Sequence, residues 1–109
     1  MDFQPIPLKN IELQKYYIME QYTGVSFKYR FIKFTQIEKT KNKMEINIDL
    51  FNTEKTFFRS YHKIFHMHSF DENALYISDP LVGFSILRFF NDDVNPAFLK
   101  QKNFVDDAS

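Results

Sequence analysis

Three imidazoles lie close together in the stretch HKIFHMH, at His62, His66 and His68. Imidazole nitrogens suit zinc, copper or nickel. On a helix, His62 and His66 stand one turn apart; on a strand, His66 and His68 share a face. No single element presents all three, and neither a cysteine nor an HExxH pattern accompanies them. They are therefore read as surface or core-edge histidines, and no metal or cofactor is expected. Two acidic pairs, Asp71–Glu72 and Asp92–Asp93, are candidates for acid–base work. Adjacent carboxylates point apart, and both pairs sit where turns draw Asp anyway. The chain lacks a Ser-His-Asp arrangement and a glycine-rich phosphate loop, having only 2 glycines in all. The expectation is a protein that is not an enzyme.

The second chemical candidate is VSFKYRFIKF, residues 25–34, where rings and cations interleave. Nucleic-acid platforms stack bases on rings and run cations along the backbone. On a strand, however, Phe27, Tyr29 and Phe31 face opposite to Lys28 and Arg30, so the two groups do not share a surface. If nucleic acid binds, it is by charge, in a groove of Lys28, Arg30, Lys33 and the loop residues Lys39, Lys41 and Lys43. Against that, 14 Lys and Arg balance 14 Asp and Glu for a net charge of zero.

The 109 residues make one domain, large enough to bury a core without a staple. The absence of cysteine fits a reducing, intracellular compartment. The N-terminal sequence does not read as a signal peptide, and no apolar run approaches the length of a membrane-spanning helix. With 14 Phe and 6 Tyr, the chain has more rings than one small core hides easily, which favours an exposed partner surface.

The elements that must position these groups are mostly strands. Pro5 and Pro7 make residues 1–10 an extended arm. The next strand carries Tyr16, Ile18 and Glu20 on one face and Tyr17, Met19 and Gln21 on the other, and Gly24 turns the chain. Within residues 25–34 the apolar phase flips between Phe31 and Ile32, which predicts a β-bulge there. MEINIDL, residues 44–50, alternates cleanly and pairs back across the polar loop 39–43. With Phe34 opposite Ile46, this register sets Arg30 opposite Asp49. Phe57, Phe58, Tyr61, Ile64, Phe65 and His68 form a helical stripe, so a helix is predicted at about 55–65, capped by Asn52 or Thr53. A short strand follows at Leu75–Ser78. LVGFSILRFF, residues 81–90, reads as buried on both faces or packed on a partner through Phe84, Ile86, Phe89 and Phe90. Residues 91–96 read as a turn, residues 97–104 as one or two helical turns, and residues 105–109 as a frayed tail.

The sum is a mainly β domain over residues 11–104. It is a strongly bent antiparallel sheet or barrel of SH3-like size with one short helix, an α+β arrangement being the alternative. Lys15, Tyr16, Tyr17, Ile18, Tyr22 and Gly24, in KYYIMEQYTG, resemble the opening strand and turn of small β-barrel proteins of giant double-stranded DNA viruses. That resemblance implies a viral, non-enzymatic protein and a minor virion component, placed in the virion or the infected-cell cytoplasm. The expected role is a structural module acting by protein contacts or self-association; a nucleic-acid-binding barrel is the alternative.

Overall fold

The computed structural model describes residues 4–79, 83–93 and 103–104. Six strands form one sheet: β1 Tyr16–Tyr22, β2 Phe27–Lys39, β3 Lys43–Phe51, β4 Phe57–His66, β5 Leu75–Asp79 and β6 Gly83–Asn91. Their order is β4-β3-β2-β1-β6-β5, and every pairing is antiparallel. The sheet is mainly formed by a four-strand meander, to which the β5–β6 hairpin is added along β1. The sheet is not closed: β4 and β5 are its edges. Yet Phe65 of β4 and Leu75 of β5 belong to one buried cluster with Met44, Ile46 and Phe89. The sheet therefore curls until its two edge strands share a core. The connection from β4 to β5 joins those edges at one end, where the Met67 N–H donates to the Asn42 carbonyl and the Tyr76 N–H to the Ser69 carbonyl.

Both faces of the central strands are buried, and this corrects the predicted bulge. Ile32 and Phe34 enter the main cluster, whereas Tyr29 and Phe31 enter a second cluster with Ile18, Phe51 and Phe90 on the outer face. The phase flip at Phe31–Ile32 is thus a change in which face is apolar, and β2 pairs with β1 straight through it. The irregularity lies three residues on, between Phe34 and Gln36. The hairpin register beyond it differs by two residues from the predicted one, so Phe34 faces Ile48 and Lys33, not Arg30, faces Asp49. A slip of two keeps every side chain on its expected face, which is why hydrophobic pattern alone does not detect it.

The predicted helix at 55–65 is instead strand β4, and among the described residues the one helical element is a 3-10 turn at Leu8–Asn10. Asn52, the expected cap, closes a hairpin: its Oδ1 accepts from the Glu54 and Thr56 N–H groups at 3.0 and 2.9 Å. Lys55 takes a positive φ of 61° within that turn. The helical spacing has a second source. Leu50 pairs with Arg59 and Phe51 with Phe57, which leaves Phe58 as the extra residue of a bulge. Phe58, Tyr61 and Phe65 then pack on the main core at spacings of three and four, while the strand between them alternates. A bulged strand here imitates a helix. β3 also needs a partner on the edge that β2 leaves, and β4 satisfies its N–H and C=O groups.

Residues 4–10 lie on the sheet end beside the core. Ile6 N–H donates to the Phe89 carbonyl, Leu8 N–H to the Glu72 carbonyl, and Leu8 is buried. β2 runs past the end of β3, and the Tyr29 N–H donates to the Asn103 carbonyl, which lays Phe104 over the rings of Tyr29 and Phe31. The predicted helical turns at 97–104 fall mostly, and the tail 105–109 wholly, outside the described residues; only Asn103 and Phe104 of the former are described.

The β4–β5 connection carries an acid-sensitive lock. The Asp71 carboxylate accepts from the Tyr76 hydroxyl and, at 2.7 Å, from the Asn73 N–H. The Tyr76 hydrogen bond holds the Asp71 carboxyl below its ordinary value. A carboxyl with a depressed folded pKa stabilises the fold above its unfolded value of 3.8, and that contribution is lost as pH falls through the folded value. Acidification below about pH 4 is expected to release the Tyr76 ring, visible as an NMR shift change, and D71N should lack this acid transition. Identical acid profiles for the two proteins would refute the lock.

Candidate functional site

Two surfaces at one end of the curled sheet could act on other molecules. The first lies on the outer face beside the Gly24 turn, where Gly24 takes a φ of 93° that other residues rarely adopt. Cross-strand pairing sets Phe27 opposite Tyr22, Tyr22 opposite Ile86 and Ile86 opposite Tyr76. These four residues form one unbroken row across β2, β1, β6 and β5. Phe27 stacks on Tyr22 with centroids 4.6 Å apart, and Phe84 stacks on Tyr76 at 6.2 Å. Phe27 and Phe84 are 47% and 50% exposed, so the row is a solvent-facing apolar strip. Of the four residues expected to meet a partner, Ile86 belongs to it and Phe84 adjoins it. Phe89 and Phe90 do not: both are buried in this chain's own cores, because β6 is covered on both faces over its second half.

The second surface is the mouth of the core face. Every strand sends residues to a cavity of about 270 Å³ there. Its floor is aliphatic, built from Met19, Ile48, Leu50, Ile77 and Leu87. Around the floor stand Lys28, Arg30 and Arg59, with Gln21 and Tyr61. Arg30 is buried, its guanidinium 5.1 Å from the Phe58 ring. Gln21 Nε2 donates to Ser85 Oγ at 3.2 Å. Burial pushes the Tyr61 hydroxyl above its ordinary value, so it stays a neutral O–H donor at physiological pH.

The six cations of the expected basic groove do not come together. Lys28 and Arg30 stand at the mouth. Lys33 points to the outer face, 4.2 Å from the Tyr16 ring and 5.7 Å from that of Phe51. Lys39, Lys41 and Lys43 mark the far hairpin, about 36 Å from Lys28 at 3.3 Å per residue of strand. Sequence reasoning missed Arg59 and Tyr61 because it placed them on a helix. Read as a strand, Arg59, Tyr61, Lys63 and Phe65 share a face, and that alternation was the available signal.

The histidines and acidic pairs are dispersed. His62 Nε2 lies 2.7 Å from Glu45 Oε2 across the β3–β4 pair, while His66 ends β4 and His68 follows it at a positive φ of 79°. Asp92 pairs with Lys55 at 3.0 Å. Among the described residues no group of three or more His, Asp or Glu converges as a metal site, and no helix is long and apolar enough to cross a membrane. No protein-family model, curated protein or solved structure matches this chain.

Proposed function

We propose that this domain is a non-enzymatic assembly module that associates with a second copy of itself through the Phe27–Tyr22–Ile86–Tyr76 row and the adjoining Phe84. The observation that carries this reading is the row itself: three rings and an isoleucine in register on four neighbouring strands, with stacked Phe27 and adjoining Phe84 half-exposed. Isolated exposed rings are ordinary, but contiguous apolar strips mark contact surfaces. A net charge of zero leaves no long-range repulsion between copies. The likeness of KYYIMEQYTG to small viral β-barrel proteins is consistent with such a module serving in a virion.

Sedimentation and light scattering test it. The wild-type chain is expected to shift from monomer to dimer with concentration, and F27E or F84E should hold it monomeric. Both side chains are half-exposed, so these changes leave the cores intact. A wild-type monomer up to about 100 µM would overturn the proposal, since a micromolar dissociation constant corresponds to about 8 kcal/mol.

A further inference from the structure

A second cavity, of about 380 Å³, opens on the core face at the end opposite the Gly24 turn. Three segments far apart in the chain wall it. The N-terminal arm supplies Leu8, Lys9 and Ile11, the β2–β3 hairpin Ile37, Lys39 and Met44, and the β4–β5 connection Asp71 and Glu72. Backbone hydrogen bonds fix these segments to one another: the Leu8 N–H donates to the Glu72 carbonyl at 2.7 Å, and the Met67 N–H to the Asn42 carbonyl at 2.8 Å. The walls are therefore in place before any ligand arrives, and the volume falls within the range of about 300–1,000 Å³ usual for small-molecule pockets.

The floor is apolar, with Leu8, Ile11 and Met44 buried and Ile37 half-buried. The rim carries both signs of charge, Lys9 and Lys39 against Asp71 and Glu72. A simple anion entering here meets two carboxylates, and a simple cation meets two ammonium groups. A ligand bearing both charges finds a partner for each. The Leu8–Glu72 backbone bond places Glu72 one residue from Lys9, so opposite charges stand close together on the rim. Asp71 is already engaged by the Tyr76 hydroxyl and the Asn73 N–H.

We propose that this cavity binds a free α-amino acid with an aliphatic side chain of leucine size. Lys9 and Lys39 hold its carboxylate, Glu72 holds its ammonium group, and the floor takes its side chain. Such a molecule carries two opposite charges at one end and an apolar group at the other, which is the arrangement of rim and floor. A peptide chain separates the same two charges along its length and does not match it. The self-association row lies on the outer face, and Asp71, which holds Tyr76 of that row, has no part in the site, so either reading can fail without the other.

Leucine, glycine, isocaproate and isoamylamine, titrated separately by calorimetry and ligand-observed NMR, test the proposal. Relative to leucine, the last three lack in turn the side chain, the ammonium group and the carboxylate. Leucine should bind saturably, about tenfold or more tightly than each of them, and should weaken as salt rises because the rim is exposed. K9Q and E72Q, each at an exposed position, should weaken leucine about fivefold or more. K9Q should not weaken isoamylamine, and E72Q should not weaken isocaproate, since each of these ligands lacks the charge concerned. Glycine binding as tightly as leucine would overturn the role of the floor, and isocaproate or isoamylamine doing so would overturn the pairing of charges. Leucine affinity unaltered by K9Q and E72Q, or no saturation below about 10 mM, would overturn the site altogether.

Discussion

Phe34→Ala is expected to destabilise the domain by about 3–5 kcal/mol, the usual range for deleting a fully buried phenyl ring. Phe34 is wholly buried at the centre of the main cluster. Its ring meets Phe89 edge-on at 5.0 Å and Tyr17 at 6.4 Å, so it ties β2 to β6 and β1. Only partial collapse can follow its removal, because the neighbours come from three strands fixed by their own ladders. A domain of this size holds about 5–15 kcal/mol in all, so the variant should sit near its unfolding threshold at room temperature. Urea titration measures the loss, with F34L as the milder control. A change below about 1 kcal/mol would show that this ring is not in a packed core.

Tyr29→Phe should cost about 1–3 kcal/mol, through chemistry rather than volume. Tyr29 and Glu20 are both buried, and the phenol donates to Glu20 Oε2 at 2.8 Å. Phenylalanine fills the same space but leaves a buried carboxylate short of a donor. Burial first, and then the hydrogen bond to Glu20 and its charge, push the Tyr29 pKa far above its ordinary value of 10.0. The sign follows directly: a group whose folded pKa is raised contributes stability that is complete below its unfolded value and is lost as pH climbs through the folded one. Wild type should therefore lose stability above pH 10, and Y29F should lose less over the same interval. Tyr61 and Tyr76 are also shifted upward, so a residual alkaline loss remains in the variant. Stability measured by urea from pH 8 to 11 checks both points. Parallel curves for the two proteins would rule out Tyr29 as a source of the slope.

How far the chain could be read follows from what each signal depends on. MEINIDL appears as β3, and the YYIMEQY segment as β1 with both faces buried at its centre, because alternation and ring-rich composition act locally. The short strand after Ala74 was equally visible. β4 was not, since its bulge at Phe58 respaced three core rings to a helical interval and its supposed cap, Asn52, serves a hairpin turn just as well. The pairing of Arg30 with Asp49 failed for a related reason: the hairpin turns farther along the chain than predicted, the one extra residue lies after Phe34 rather than at Phe31–Ile32, and no local preference marks either position.

The site divides in the same way. Sequence marked Lys28 and Arg30 as cations facing away from Tyr29 and Phe31, and it marked Phe84 and Ile86 as apolar residues with surface to spare. It did not gather them. Arg59 joins Lys28 and Arg30 only because β4 curls round to the β2 side of the core, and Phe27 joins Phe84 only because β1 and β6 pair in the register that sets Tyr22 beside Ile86. By itself the sequence determined a cysteine-free, ring-rich, mainly β domain, because period-two patterning and composition are properties of single segments. The tertiary structure alone decided which cations share a mouth and which rings share a row. Both depend on register and curl, which arise from contacts between residues far apart in the chain.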